Sequence, residues 1–177
     1  VGGMDGGIIV SNDWSQIDYY KQRSLNGMSF AENNWDREER SVGWKMYMNS
    51  SQAFVALQNL RRLDEKKEKL SIIRDLYNTN FDLDNTSDHL YRINVINRDK
   101  AINSLTNEGI ITGIHYRPLH RSPLYKSLCW GGNLPRSQAE GATTLSIPFN
   151  ETMTVSDAEY VIEKIRQHAT CINFKCS

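Results

Sequence analysis

The longest regular pattern in the sequence runs from Asn49 to about Asn78 and has the period of a helix. Apolar residues recur in it at intervals of three and four, and the pattern is broken only at Lys67. These apolar residues are Ala53, Leu57, Leu60, Leu63, Leu70, Ile73 and Tyr77. The pattern predicts one long amphipathic helix with Asn49 or Ser50 as its N-cap. Such a helix often connects two packing units, and the polar residues 78–88 predict a boundary after it.

A short strand and a helix are predicted ahead of the long helix. The apolar run Ile8–Val10 is typical of a strand, and the glycines before it either form a tight turn or let the backbone approach a cofactor. The stretch DWSQIDYYKQRSL predicts a helix that is capped by Asn12 or Asp13 and ends at Asn26-Gly27. Residues 28–42 are charged and aperiodic, which predicts a loop.

The pattern changes after residue 88 to short strands that alternate with helices. Strands are predicted at HLYRINVIN, IITGIHY and LSIPF, and Tyr91, Ile93 and Val95 share one face of the first. Helices are predicted at DKAINSLTNEG, PRSQAEGATT and TVSDAEYVIEKIRQH, and RPLHRSPLYKSL predicts an ordered loop with a short helix. In the last helix Thr154 and Asp157 have the spacing of a capping box. Its buried stripe is predicted to consist of Val155, Ala158, Ile162 and Ile165.

Charge and composition argue against several classes of partner. The 177 residues carry 21 basic and 21 acidic side chains, so no net charge favours a nucleic acid or an anionic membrane. No apolar run approaches the ~20 residues that span a bilayer, and the first residues lack the pattern of a signal peptide. The three cysteines have no metal-ligand spacing, which is typical of a reduced, cytoplasmic protein.

The densest cluster of chemistry-bearing side chains is GIHYRPLHRSPLY. It holds His115, Tyr116, Arg117, His120 and Arg121 directly after a predicted strand, where sites tend to lie in sheet proteins. Arginine forms bidentate hydrogen bonds with oxyanions, so this set could bind a phosphorylated or carboxylated ligand. The alternative is a surface loop with a partly buried histidine and tyrosine. No metal site is predicted, because the two histidines flank a proline-leucine step and no third ligand is near.

A second candidate is VGWKMYMNSSQA, at the start of the long helix. Lys45 and Tyr47 lie just ahead of the predicted helix N-terminus, whose free N–H groups and positive dipole suit a phosphate. The alternative is an ordinary capped helix preceded by aromatic side chains. The residues alone leave both possibilities open.

Four stretches, taken in order, resemble the C-terminal portion of the DegT/DnrJ/EryC1/StrS aminotransferases. They are GGMDGGIIVSND, VGWKMYMNSSQAFVALQNLRRLDE, LYRINVINRDKAINSLTNEGIITGIHYRPLH and LSIPFNETMTVSDAEYVIEKIR. The resemblance extends almost from end to end of the chain and keeps its order. It is therefore specific, although each motif by itself is loose.

The resemblance implies a fold and a set of domains. Members of this family are fold type I enzymes that use pyridoxal 5′-phosphate, so an α/β fold with an α+β small domain is expected. Residues 1–48 would be a remnant of the cofactor-binding large domain, with a strand, a helix and an interface loop. Residues 49–80 would be a long connecting helix, and residues 81–177 a C-terminal α+β small domain.

The resemblance also implies an activity. Such enzymes transfer an amino group, commonly from glutamate, to a keto sugar that is attached to a nucleotide, in the biosynthesis of polysaccharides or deoxyamino sugars. They act as homodimers, and the loop before the long helix reaches across the dimer interface to the cofactor phosphate. The implied cofactor-binding residues are Lys45, Tyr47 and Asn49, although Met46 and Tyr47 depart from the usual residues. The implied substrate-binding residues are His115, Tyr116 and Arg117, the last by virtue of its charge beside the matching His-Tyr pair.

None of the lysines present matches the family's Schiff-base lysine, which the resemblance places just upstream of Val1. We therefore expect no catalytic residue in this chain and no activity from the chain alone, with a truncated reading frame as the preferred explanation. Two alternatives to an aminotransferase function remain open. One is a non-catalytic binding or assembly module on the same scaffold. The other is the dehydratase branch of the family, in which histidine replaces the lysine.

Overall fold

The structure, a computed structural model, describes residues 4–29, 37–128 and 132–171. The chain divides into an N-terminal unit, Val1–Asp64, and a C-terminal unit, Glu65–Ser177. The division into residues 1–48, 49–80 and 81–177 that the family resemblance implies stays a prediction.

The first helix of the N-terminal unit, α1 (Trp14–Ser24), forms as predicted. The Asp13 carboxylate accepts a hydrogen bond from the N–H of Ser15 at 2.9 Å and caps the helix. The Ser15 hydrogen bonds lower the pKa of Asp13 below its usual range. The chain then turns through Asn26 and Gly27, which both have positive φ angles. This turn confirms the predicted helix end.

The predicted strand at Ile8–Val10 is wrong. These residues have no regular structure, and their side chains are 61–86% exposed. A strand is stable only when a neighbouring strand pairs with its N–H and C=O groups. No described segment of the chain pairs with residues 8–10.

The predicted single long helix is two helices, α2 (Ser50–Arg61) and α3 (Leu63–Phe81). The helix breaks at Arg62, whose N–H bonds to the carbonyl of Leu60. Leu63 is the only apolar residue between Arg61 and Lys69, so little apolar packing can hold the junction in one straight helix. The predicted N-cap is confirmed: the Asn49 side chain accepts from the N–H of Gln52, and the Gln52 side chain accepts from the N–H of Asn49.

The C-terminal unit is built on a two-stranded antiparallel sheet. Strand β1 (Tyr91–Asn94) pairs with β2 (Thr144–Ile147), so that Tyr91 lies opposite Ile147 and Ile93 opposite Leu145. The helices of this unit besides α3 are α4 (Arg98–Asn107), α5 (Pro123–Ser127), α6 (Pro135–Thr143) and α7 (Val155–His168), and a 3₁₀ turn spans Leu119–Arg121. Helix α4 packs against α7. The predicted strand in HLYRINVIN and the predicted helix in TVSDAEYVIEKIRQH are thus confirmed as β1 and α7.

The core of the C-terminal unit gathers side chains from α3, the sheet, α4 and α7. Tyr91, Ile93 and Val95 are all buried, which confirms their shared face. Tyr77 lies fully buried against Tyr91 and donates a hydrogen bond to the carbonyl of Pro148 at 3.0 Å. Burial raises the pKa of both tyrosines, which keeps their hydroxyls protonated as donors.

Helix α7 confirms its predicted capping box and most of its predicted stripe. Thr154 and Asp157 exchange the two capping hydrogen bonds, at 3.1 and 2.8 Å. Val155 was wrongly placed in the stripe, because it is the first helical residue and is 46% exposed, while Val161 is buried. In the described part of the chain, no helix combines the length and the hydropathy needed to cross a bilayer.

Candidate functional site

The segment after α4 brings the predicted histidine against the sheet. The predicted strand IITGIHY is wrong: only Gly113 pairs with β2, through two hydrogen bonds of 2.8 and 2.9 Å to the backbone of Ser146. The His115 ring folds back over Gly113, where a Cβ atom would lie 2.7 Å from Cε1 of the ring. Nδ1 of His115 lies 2.9 Å from Oγ of the buried Ser146. The segment therefore does not continue as a strand beyond Gly113. Instead, the contacts with Gly113 and Ser146 fix the position of the His115 ring.

His115 lies beside a groove of about 440 Å³, which we name the histidine groove. Its polar lining consists of one carboxylate, Asp84, together with Asn85, Ser87, His89, Arg92, His115 and Tyr116. The Arg92 guanidinium donates to the carbonyl of His115 at 3.4 Å. The groove thus combines imidazole, guanidinium and hydroxyl donors with the Asp84 carboxylate as an acceptor, a mixture suited to the hydroxyl groups of a sugar.

Arg117 lies in a different groove, of about 730 Å³, which we name the arginine groove. Its polar lining includes Arg98, Tyr116, Arg117, Arg121, Ser122 and Gln138. Tyr116 lines both grooves and is 73% exposed. The rings of His115 and Tyr116 meet edge to face, with centroids 4.9 Å apart. The structure thus brings His115 and Tyr116 together but places His115 and Arg117 in neighbouring grooves on either side of Tyr116.

The segment that carries Lys45 is held against the end of α1 by backbone hydrogen bonds. The N–H of Trp44 donates to the carbonyl of Arg23 at 2.7 Å, and the N–H of Met46 donates to that of Ser24 at 2.9 Å. This approach requires a glycine at position 43, where a Cβ atom would lie 2.1 Å from the backbone nitrogen of Gly27. Lys45 is therefore positioned by contacts that its own neighbours in sequence do not reveal.

The donors around the start of α2 fit a phosphate group. Lys45 and Tyr47 are exposed, and Nζ of Lys45 lies 5.5 Å from the centre of the Tyr47 ring. The side-chain oxygen of Asn49, Oδ1, already accepts the capping hydrogen bond from the N–H of Gln52. Only the side-chain NH₂ group of Asn49 can therefore donate to an anion. The N–H groups of Ser50 and Ser51 have no intrahelical acceptor, because they belong to the first turn. Lysine, amide and free helix N–H groups are each donors suited to phosphate oxygens.

An apolar cavity of about 850 Å³ also lies in the N-terminal unit. Its lining includes Tyr19, Tyr20, Arg23, Trp44, Met46 and Tyr47. The Arg23 guanidinium lies 4.4 Å from the centre of the Tyr19 ring and donates to the carbonyl of Val42 at 3.0 Å. This arginine serves to fix the loop that leads to Lys45.

Sequence reasoning missed several residues that shape these grooves. Three of them are far in sequence from residues 115–117: Arg92 on β1, Ser146 on β2 and Arg98 on α4. The folding of the sheet and of α4 brings them to His115 or to the arginine groove. Arg121 belongs to the basic cluster that the sequence offers for an anionic ligand, but the family resemblance does not imply it as a substrate-binding residue. Among the described residues, no three His, Cys, Asp or Glu side chains gather as metal ligands.

Comparison with known proteins identifies sequence relatives over most of the chain. The chain is 30% identical to the spore coat polysaccharide biosynthesis protein SpsC of Bacillus subtilis over 191 aligned positions, which cover 92% of this chain and 49% of SpsC. It is 25% identical to a UDP-4-amino-4,6-dideoxy-N-acetyl-beta-L-altrosamine transaminase of Campylobacter jejuni, over 89% of this chain and 46% of that enzyme. The chain thus spans about half the length of the curated relatives it matches.

Solved structures confirm the predicted fold class. The sugar aminotransferase Spr1654 of Streptococcus pneumoniae superposes with a TM-score of 0.80 at 22% identity, over 91% of this chain and 45% of that one. A DegT DnrJ EryC1 StrS aminotransferase of Brucella abortus gives a TM-score of 0.74 at 26% identity, over 89% and 44%. These neighbours have the fold of type I pyridoxal-phosphate transferases, and Spr1654 has also been solved in PLP and PMP forms.

The family assignment follows from the match with a whole-family pattern. The model of the DegT/DnrJ/EryC1/StrS aminotransferase family matches residues 3–166, which is most of the chain. The relatives named above are sugar aminotransferases or proteins of polysaccharide biosynthesis, in agreement with that match. The chain therefore belongs to the DegT/DnrJ/EryC1/StrS aminotransferase family.

Proposed function

We propose that this chain is part of a pyridoxal-phosphate-dependent enzyme that transfers an amino group to a keto sugar nucleotide. The observation that carries the proposal is the family match over residues 3–166. Sequence relatives in polysaccharide and amino-sugar biosynthesis support the substrate class. Glutamate is the proposed amino donor, a homodimer the proposed assembly and the cytoplasm the proposed location.

The cofactor phosphate is proposed to bind at the start of α2. Lys45 supplies a positive charge there, the Asn49 amide and the first N–H groups of α2 supply hydrogen bonds, and the exposed Tyr47 supplies a hydroxyl. When bound, pyridoxal phosphate supplies an electron sink for the amino transfer, while protein groups orient it. No lysine of this chain matches the catalytic lysine of the family, so the chain by itself is proposed to be inactive.

The nucleotide sugar is proposed to bind at His115, Tyr116 and Arg117. The hydrogen bond between His115 and Ser146 fixes the imidazole, and the exposed Tyr116 ring offers a face on which a sugar or base can pack. The Arg117 guanidinium suits the negative charge of the diphosphate. Because Tyr116 separates the two grooves, the ligand would have to contact both of them.

Binding of a nucleotide sugar to this chain tests the proposal directly. We expect calorimetry with UDP-N-acetylglucosamine as probe to show binding that weakens about tenfold in His115→Ala and in Arg117→Ala. Lys100→Ala is the control, because Lys100 is exposed and lines neither groove. Unchanged affinity in both site variants would contradict the proposed substrate site.

The cofactor site has a separate test. We expect Lys45→Gln to weaken the binding of pyridoxal 5′-phosphate, followed by its absorbance, while Arg61→Gln at the opposite end of α2 has no effect. The assay for activity is the release of 2-oxoglutarate from glutamate. If this chain alone released it and borohydride fixed the cofactor on one of its lysines, the proposed inactivity of the chain would be wrong.

A further inference from the structure

The arginine groove concentrates positive charge on a chain that has no net charge. Three guanidinium groups, those of Arg98, Arg117 and Arg121, line it. No acidic residue is found among the described residues that line the groove. The chain as a whole carries 21 basic and 21 acidic residues. The groove is therefore a local excess of positive charge that attracts anions.

Two of the three arginines are available to a ligand. Arg98 is engaged: it bonds to the carbonyl of Gly141 at 2.5 Å and pairs with Asp99 at 3.0 Å, and its side chain is only 11% exposed. Arg117 and Arg121 are exposed and have no ion pair with any carboxylate in the described part of the chain. Their forks of N–H donors can therefore turn to an oxyanion without breaking an existing salt bridge.

Hydrogen bonds and a close contact with α6 position the backbone that carries these two arginines. Pro118 caps the 3₁₀ turn Leu119–Arg121, and its carbonyl accepts from the N–H of Arg121 at 3.0 Å. Pro118 packs on α6 at Gly141, where a Cβ atom would lie 2.2 Å from Cδ of the proline. Helix α6 is in turn tied to α4 by the Arg98–Gly141 hydrogen bond. Arg117, just before Pro118, and Arg121, at the end of the turn, therefore line one groove from a segment that is held against α6.

We infer that the arginine groove binds a diphosphate group, with Arg117 and Arg121 each contacting one phosphoryl unit and Tyr116 forming the adjacent wall. Two guanidinium groups can bind a ligand with two phosphoryl groups more completely than a ligand with a single phosphoryl group. The groove volume of about 730 Å³ is large enough for a nucleoside diphosphate. Ser122 and Gln138 add neutral hydrogen-bonding groups to the lining. Arg121 is thereby a binding residue alongside Arg117.

The natural source of the diphosphate is either a nucleotide sugar, in which case the inference rests on the proposed function, or free pyrophosphate. The test is calorimetry of the 177-residue chain with UDP, inorganic pyrophosphate and orthophosphate as probes. We expect pyrophosphate to bind at least about tenfold more tightly than orthophosphate, since only pyrophosphate engages both arginines. UDP that binds more tightly than pyrophosphate would identify a nucleotide as the source, and equal affinities would identify the free anion.

The variants separate specific contacts from general charge. Arg121→Gln should weaken pyrophosphate binding about tenfold, and Arg117→Gln/Arg121→Gln about a hundredfold. The matched control, Lys67→Gln/Lys100→Gln, removes the same charge from exposed positions of the same unit outside the groove and should leave binding unchanged. Arg117→Lys/Arg121→Lys keeps the charge but loses the forks, and should still weaken binding.

Three outcomes would overturn the inference. They are absence of pyrophosphate binding, an equal loss in the lysine control, and full binding in the double glutamine variant. Circular dichroism at equal concentration checks that each variant keeps its helices. Pyrophosphate binding without any binding of a nucleotide sugar would support the groove while contradicting the proposed function, so the two failures can be told apart.

Discussion

The two units of the chain use apolar side chains in opposite ways. In the C-terminal unit, a continuous core of buried residues from α3, the sheet, α4 and α7 surrounds Tyr77 and Tyr91. In the N-terminal unit, Ala56 is the only buried hydrophobic residue among those described, while Trp14, Trp44 and Phe54 are 58–80% exposed. The N-terminal unit has order without a core, because backbone hydrogen bonds and close glycine contacts fix its loop on α1.

This difference shows that apolar residues at helical spacing do not by themselves form a buried core. Leu57 and Leu60 continue the helical spacing that becomes buried in α3, yet they are 44% and 51% exposed. Burial needs a second surface at the right distance, and α3 has one in the sheet and α7. We therefore expect the same substitution to have very different effects in the two units.

The largest effect is expected from a matched pair of phenylalanines. Phe81 is 1% exposed and lies near the rings of Tyr77 and Tyr91, whereas Phe54 is 63% exposed. Phe81→Ala should lower the free energy of unfolding by about 3–5 kcal/mol, because it leaves a cavity in the core. Phe54→Ala should change it by no more than about 0.5 kcal/mol. Urea denaturation of both variants measures the difference, and comparable losses would show that Phe54 is buried in solution.

An intermediate effect is expected when Gly43 of the N-terminal unit is replaced, with Gly7 as the matched control. Gly43→Ala would force a Cβ atom to within 2.1 Å of the nitrogen of Gly27, so the loop must move away from α1. Hydrogen exchange at the amides of Trp44 and Met46, which are bonded to α1, should accelerate about tenfold or more. Gly7→Ala is the control, since nothing lies within 4 Å of its Cβ position. Unchanged exchange in Gly43→Ala would refute the close approach.

The smallest effects are expected from the two capping boxes, one in each unit. Asn49→Ala and Thr154→Ala should each cost about 1 kcal/mol of stability, measured by thermal denaturation at neutral pH. Their pH dependence should differ, because only the α7 box contains a carboxylate. Hydrogen bonds from Thr154 lower the pKa of Asp157 below its ordinary value of 3.8.

The sign of this pH dependence follows from the lowered pKa. The stabilising contribution of Asp157 is fully present above the unfolded-state pKa and is lost as pH falls through the lower folded-state value. Stability of the protein should therefore drop below pH 3.8 partly through α7, and Asp157→Asn should remove that part of the drop. The neutral Asn49–Gln52 box of α2 has no group that titrates there. An unchanged acid profile in Asp157→Asn would contradict the role of the charged cap.

Local signals in the sequence predicted the helices well, and long-range pairing limited the strands. Helices α1, α2 and α7 begin where Asp13, Asn49 and Thr154 cap them, because a cap and its first turn are only a few residues apart. The strand predictions at residues 8–10 and at IITGIHY were wrong. A strand depends on a partner that is distant in sequence, and for Gly113 that partner extends over one residue only.

The candidate site shows the same division between local and long-range information. The sequence placed His115, Tyr116 and Arg117 side by side, and the structure keeps the first two in contact. It could not show that Tyr116 separates two grooves, because the other walls come from β1, α4 and α6. Nor could it show that Arg98 lines the same groove as Arg117 and Arg121 and is bonded to the carbonyl of Gly141.

The sequence by itself determined the helix caps, the buried face of β1 and the membership of the family, since these depend on residues at short or fixed spacings. Only the tertiary structure decided which apolar side chains are buried, where the long helix breaks and which side chains share a groove. These features depend on surfaces that meet across long stretches of chain, as when Ser146 fixes His115 and Gly141 seats Pro118. Such contacts have no local signature, because the free energy that selects them comes from packing between elements and not from any one segment.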